Sequence, residues 1–295
     1  MRTLLLLALT LVVGCPAAGP SDDDDSATAE VTPKFGSEFA GGDRPVFVQV
    51  PDGYDGLTLH PLVILLHGYG ASGDLQDIYF RYGDRVSLDG FFLLAPDGTR
   101  DSSGTPFWNA RPTSPEPIDD VAYLTGLVDE MLDEWAIDPA RVYFAGHSNG
   151  GYMSYRLACE IPDRMAAILN FAGLSPYEDD AACSPSEPVS VLHVHGTEDA
   201  DVPYAPTDGR MGAEDLAALW ADRASCGAGP TEGGRLDLID GIAGDETRTE
   251  DWSECAPGTA VSFWALEEGG HLPFFNGVWA ESTLAWLLAQ RKGGE

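Results

Sequence analysis

Residues 142–151 read VYFAGHSNGG, an apolar run that ends in Gly-x-Ser-x-Gly and passes directly into a helical pattern. A chain that places a serine between a buried strand and a helix has few ways to fold around it. Gly146 and Gly150 fall where a sharp strand-to-helix turn has no room for a Cβ, so the serine between them occupies strained backbone with its hydroxyl exposed. Ser148 is therefore the candidate nucleophile. The backbone N–H of Asn149, at the start of the helix, is aimed where an oxyanion would form. Ordinary glycine-rich turns show the same five-residue pattern, so the flanking strand and helix carry the assignment.

Apolar runs of the strand kind also lie at 46–50, 62–66, 91–95, 167–171, 189–194 and 260–266. Several are apolar throughout, as strands covered on both faces are. Between them, 118–135 puts Val121, Leu124, Leu127, Val128, Met131, Leu132 and Trp135 on one stripe with acids opposite, which predicts a helix. Residues 151–161, 216–223 and 278–290 read as further helices. Strand and helix in alternation predict an α/β protein whose mostly parallel sheet carries helices on both faces, as a single domain over 37–292 without internal repeats. With 44% hydrophobic residues in 295, the chain has ample material for a core.

The start of the chain is of another kind. Residues 1–14 combine Arg2 with a short apolar run, too short to span a bilayer and typical of an export signal. The run closes in Val12-Val13-Gly14-Cys15, which resembles the lipobox of bacterial lipoproteins and implies acylation of Cys15. Residues 15–36 are rich in Pro, Ala, Ser, Thr and acid, and read as a disordered linker. Their run of four aspartates lacks the alternating spacing and glycine of a calcium loop. The expected location is outside the cytoplasm, lipid-anchored to the envelope or secreted. The formal net charge of −32 repels nucleic acid and anionic surfaces, so neither is an expected partner; membrane contact is expected only through the anchor. Apart from Cys15 there are four cysteines, Cys159, Cys183, Cys226 and Cys255, an even number suited to two disulfides. Three pairings are open, and the sequential one is expected, each bridge worth roughly 3 to 4 kcal/mol in the chain-entropy model. Without any C-x-x-C spacing, no metal site is expected.

A serine hydroxyl needs a base, and the base an orienting acid. After the 189–194 run the chain continues His195-Gly196-Thr197-Glu198-Asp199-Ala200-Asp201, where Asp199 stands in the loop beyond the strand, with Glu198 and Asp201 as competitors. The last strand runs into Glu267-Glu268-Gly269-Gly270-His271, whose glycines let a loop bring His271 over the sheet edge as the base. The order Ser, Asp, His is that of α/β-hydrolases. His67-Gly68-Tyr69-Gly70 follows an early strand and offers the backbone N–H of Tyr69 as a second oxyanion donor. Of the other histidines, His147 is the variable position of the serine turn, His193 and His195 belong to a strand, and His60 is read in a surface turn.

With these segments placed, the sequence resembles the polyhydroxybutyrate depolymerase and feruloyl or acetylxylan esterase group of α/β-hydrolases. The resemblance runs from about Tyr54 to the last helix. It rests on LLHGYG, FWNA at 107–110, the Asp119-Asp120-Val121 helix start, GHSNGG, HGTEDADVPY at 195–204 and GGH ending at His271. It implies a triad of Ser148, Asp199 and His271, a place by the substrate cleft for Trp108, and a late disulfide matching Cys226 and Cys255. Esterolysis through an acyl-enzyme without a cofactor follows, on a hydroxyalkanoate oligomer or a plant cell-wall ester. The chain departs from many relatives at Tyr69, where they carry cysteine, and at Leu272-Pro273-Phe274, where they carry Trp-Pro; both positions bear on the substrate pockets. Trp108, Phe274 and Phe275 are read either as an aromatic cleft or as core. A serine peptidase of the prolyl oligopeptidase type shares the triad order and stands as the alternative, though some 260 residues leave little room for its usual extra propeller.

Overall fold

The computed structural model describes residues 32–177, 180–207 and 209–293. The expected export signal, Cys15 and the expected linker up to residue 31 lie outside the described residues. In chain order the elements are β1 (Phe39–Ala40), β2 (Val46–Phe47), β3 (His60–Leu66), α1 (Gly73–Phe80), α2 (Val86–Asp89), β4 (Phe92–Leu94), β5 (Thr99–Arg100) and β6 (Pro106–Phe107). They continue as α3 (Asp120–Glu134), β7 (Ile137–His147), α4 (Asn149–Glu160), β8 (Ala167–Phe171), β9 (Ser190–Gly196), α5 (Ala213–Arg223), β10 (Ala228–Leu236), β11 (Thr247–Ser253), β12 (Val261–Leu266) and α6 (Gly277–Leu288).

Eight strands form one sheet in the order β10-β11-β12-β9-β8-β7-β3-β4. From β12 to β4 every pairing is parallel, and β10 and β11 close one edge antiparallel. Alternation along the strands sorts the core into two layers. In β3, Leu62, Ile64 and Leu66 face one side with α3, α4 and α5, while Val63 and Leu65 face α1 and α6. Val142 and Phe144 of β7 share the first side, Tyr143 and Ala145 the second. A sheet buried on both faces is why these strands read as continuous apolar runs.

Local chemistry sets the helix starts. Asp119 caps α3, its carboxylate accepting from the Ala122 N–H at 2.9 Å, two residues later than the expected start at 118. Ser72 caps α1 through the Leu75 N–H, and Asn276 caps α6 through the Val278 N–H. The sequence reading missed α1, because Leu75 and Ile78 point to solvent and break its apolar stripe. It also missed β10 and β11. The sequence of β10, AGPTEGGRL, is almost entirely exposed at the sheet edge and has no buried face to impose a pattern. The strand expected at 46–50 shrinks to β2 plus a single antiparallel bridge from Gln49 to Leu93. His60 opens β3, half-buried, rather than occupying a surface turn.

Two disulfides join Cys159 to Cys183 and Cys226 to Cys255. The first ties the end of α4 to the segment before β9, the second the end of α5 to the end of β11. At the N-terminal side, Lys34 at the close of the linker is already fixed to the body: its Nζ donates to the Leu132 carbonyl at 2.7 Å, and Tyr54 donates to its carbonyl at 2.7 Å. Among the described residues no helix is long and apolar enough to cross a membrane.

Candidate active site

The turn from β7 to α4 holds Ser148 at φ 53° and ψ −116°, left-handed backbone that a serine adopts only under constraint. A Cβ on Gly146 would run into the Gly150 carbonyl, and one on Gly150 into the Leu66 carbonyl, so both neighbours of the turn must be glycine. The Ser148 N–H donates to the Phe171 carbonyl at 2.8 Å, anchoring the turn to β8.

The loops after β9 and β12 bring Asp199 and His271 to this turn. His271 Nδ1 lies 2.7 Å from Asp199 Oδ2, while the N–H groups of Asp201 and Val202 donate to Asp199 Oδ1 at 2.9 and 2.8 Å. Burial by itself would raise the Asp199 pKa, but donors from His195, His271 and Val202 outweigh it and hold the carboxyl below the usual range. Glu198 and Asp201, the competing acids, do not pair with His271. Ser148 and His271 line a common cavity of about 250 Å³ without a direct hydrogen bond between them. Bonds of this kind commonly close only with substrate in place.

Behind Asp199 runs a buried chain that sequence reasoning did not find. Burial keeps the Tyr155 hydroxyl protonated, and it donates to His193 Nδ1 at 2.8 Å. His193, also buried and with its pKa pushed down, then carries its proton on Nε2 and donates to His195 Nδ1 at 3.2 Å. That leaves the His195 Nε2–H facing the Val202 carbonyl at 2.8 Å and Asp199 Oδ2 at 3.4 Å. Every donor in the chain points toward the acid. The signal was present in the sequence: positions 191, 193 and 195 share one face of β9, so two histidines on a buried strand must find polar partners.

His147 has a comparable task. Its Nε2–H donates to the His271 carbonyl at 3.1 Å, and its ring stacks on Phe171 with centroids 5.0 Å apart. Burial first, and then His271, pull its pKa down to about 3, so it holds the His271 loop as a neutral donor.

The amides of Tyr69 and Asn149 have no hydrogen-bond acceptor among the described residues, while their neighbours do. Gly68 N–H donates to Gln76 Oε1 and Gly70 N–H to the Pro106 carbonyl. His67 pins this loop: its Nε2 accepts from the Gly98 N–H at 2.8 Å, so its Nδ1–H donates to the Gly68 carbonyl at 2.8 Å. The Asn149 side chain brackets the Trp108 backbone, accepting from its N–H at 2.6 Å and donating to its carbonyl at 2.9 Å. These contacts, unforeseen in the sequence, shape the site from behind.

A cleft of about 590 Å³ opens on the Asn149 side of Ser148, lined among others by Tyr69, Phe107, Arg111 and Tyr152. Trp108 stands in its wall but is fully buried, its ring 5.2 Å from that of His67. Phe275 stacks on Trp279 at 3.7 Å, and Phe274 is exposed to solvent. Trp108 is therefore both core and cleft wall, Phe275 packs on α6, and Phe274 lies in solvent outside the lining of this cleft. Asp199, Asp201 and His271 bring potential metal-ligating atoms within 4.8 Å of one another. The oxygens of Asp199 are already taken by N–H donors, an arrangement suited to moving a proton.

A family model described as phospholipase/carboxylesterase matches residues 116–223, a span that holds Ser148 and Asp199. Feruloyl esterase B of Piromyces equi is 27% identical over 242 residues, which cover 77% of this chain and 42% of that protein. A poly(3-hydroxybutyrate) depolymerase of Ralstonia pickettii is 36% identical over 124 residues, 39% of this chain and 25% of the depolymerase. The chain spans less than half the length of the first curated relatives it matches. Among solved structures, the acetyl xylan esterase from Aspergillus awamori aligns with a TM-score of 0.60 at 14% identity, over 82% of this chain and 93% of that one. The fold is that of the α/β-hydrolases.

Proposed function

We propose that the chain is a serine esterase that hydrolyses carboxylic esters through an acyl-enzyme. The observation that carries this reading is the 2.7 Å bond between His271 Nδ1 and the buried Asp199, on two loops that converge on the strained turn of Ser148. In this reading the Ser148 hydroxyl attacks the ester carbonyl while His271 Nε2 takes its proton, and Asp199 holds the resulting imidazolium. The amides of Tyr69 and Asn149 receive the oxyanion. His271 then protonates the departing alcohol, and water, activated by the same imidazole, releases the acid. The substrate is a hydroxyalkanoate oligomer or a plant cell-wall ester, a reading supported by the likeness to a poly(3-hydroxybutyrate) depolymerase and a feruloyl esterase. The two disulfides accord with export, and Cys15 is the proposed lipid anchor.

Hydrolysis of para-nitrophenyl butyrate by the full-length chain, beside its Ser148→Ala variant, tests the reading. The variant is expected to lose roughly a thousandfold or more in kcat. Equal rates in both proteins would remove Ser148 from the mechanism. The mass of the N-terminal peptide in the same preparation is expected to show acylated Cys15; an unmodified Met1 would withdraw the anchor.

A further inference from the structure

Arg111 stands in the wall of the cleft that holds Ser148, exposed, and its guanidinium has no protein acceptor among the described residues. Only Arg210 shares that condition. Every other described arginine and lysine donates to a carboxylate or a backbone carbonyl: Arg44 to Asp120, Arg85 to Asp89, Arg156 to Glu160, Arg235 to Glu267 and Arg291 to Asp138 are examples. The remainder follow the same rule. In a chain with 48 acidic and 16 basic residues, acceptors for a cation are abundant, so leaving two guanidiniums without one is a selective arrangement.

Both cations act on the same group. The hydroxyl of Tyr152, which lines the cleft, feels the positive charges of Arg111 and Arg210, and it too has no partner among the described residues. The opposite sign sits toward the base: Asp201 lines the cleft and brings its carboxylate within 4.8 Å of Asp199 and His271 donor atoms. The cleft is thus polarised, negative beside His271 and positive at Arg111.

We infer that this cleft selects esters that carry a carboxylate, bound by Arg111 with Arg210 and the Tyr152 hydroxyl beside it, an inference that rests on the esterase reading above. Guanidinium and phenol are the donors that match a carboxylate, the first through two parallel N–H bonds. The overall negative charge of the molecule repels an anionic substrate, and the uncompensated Arg111 in the cleft wall, with Arg210 acting on the same phenol, offsets that repulsion locally. The side follows from the chemistry. His271 must hand its proton to the leaving alcohol, so the smaller cavity it lines with Leu272 and Tyr79 receives the alcohol, and the Arg111 cleft receives the acyl part.

Two pairs of esters test this with the full-length chain. In the acyl pair, mono-para-nitrophenyl glutarate is compared with para-nitrophenyl hexanoate. In the alcohol pair, the butyryl ester of 3-hydroxybutyrate is compared with the methyl ester of the same compound. The ratio of kcat/KM, charged over neutral, is read for the natural chain and for the Arg111→Gln, Arg210→Gln double variant. The acyl ratio is expected to fall about tenfold in the variant, and to fall in the natural chain as salt is added. A ratio that falls only in the alcohol pair keeps the arginine subsite and moves it to the leaving-group side. Ratios in both pairs that are unchanged by the double substitution would overturn the inference while leaving the esterase reading intact. Failure to cleave para-nitrophenyl butyrate at all would take away that reading, and this inference with it.

Discussion

His195 shares the carboxylate of Asp199 with His271, and the two imidazoles ask different things of it. His271 must become positively charged during turnover, whereas His195, fully buried, accepts from His193 at Nδ1 and turns its Nε2–H toward the Val202 carbonyl and the acid. Its N–H fixes where Asp199 Oδ2 points, which makes His195 a positioning residue. Replacing His195 by Ala is expected to lower kcat about tenfold, the rate equivalent of one net hydrogen bond of about 1.4 kcal/mol, with little change in KM. Glutamine can place an amide N–H near the position of Nε2, so His195→Gln should recover part of the loss. Rates normalised to the burst of para-nitrophenol separate this from simple loss of folded protein. A loss that disappears on normalisation would reduce His195 to a packing role.

At the scale of elements, the sequence was legible where two faces of burial impose a pattern. The runs that became β3, β7, β8, β9 and β12 are apolar throughout because α3, α4 and α5 cover one face and α1 and α6 the other. The positions of Ser148, Asp199 and His271 followed from those strands, since each sits just beyond a strand end. The β10 and β11 hairpin was invisible for the opposite reason: β10 faces solvent, and the buried side chains of β11 are the polar Thr247 and Thr249, so backbone pairing through β11 to β12 carries the edge without an apolar pattern. Trp108 could not be resolved from sequence, because a large ring beside an active-site motif reads the same whether it borders the cleft or packs on His67, and here it does both. The hydrogen bonds that set such a choice, here from Asn149 to the Trp108 backbone, join residues 41 apart and leave no local trace. The hairpin edge is also where a covalent tie matters, because Cys226–Cys255 joins the end of α5 to the end of β11. Each bridge closes a loop of 24 or 29 residues, worth roughly 3.5 kcal/mol in the chain-entropy model. A Cys226→Ser, Cys255→Ser variant is expected to unfold at lower urea concentration by a corresponding amount, and an unchanged midpoint would show that β12 pairing alone secures the edge.

For the whole molecule, the buried histidines decide how stability responds to acid. His147 has its folded pKa pulled down to about 3, while an unfolded histidine titrates near 6.5. Between those values the unfolded chain takes up a proton that the folded chain refuses, so stability falls as pH drops. His67 and His193, both buried and shifted down, act in the same direction. Each contributes a slope of up to about 1.4 kcal/mol per pH unit below about pH 6.5. Asp199 works in a separate window: its folded pKa is depressed, so its contribution is complete above the unfolded value of about 3.9 and is lost only below it. The 48 acidic side chains oppose the histidines, since protonating carboxylates relieves the repulsion behind a charge of −32, but a carboxyl in water takes up its proton only near pH 4. From pH 7 to pH 5 the histidines therefore prevail. The urea midpoint is expected to fall across that range, and His147→Gln, which keeps an N–H donor without the titration, should flatten the slope by about 1.4 kcal/mol per unit. A midpoint that rises on acidification would mean that relief of charge repulsion outweighs the neutral histidines even before the carboxylates begin to titrate.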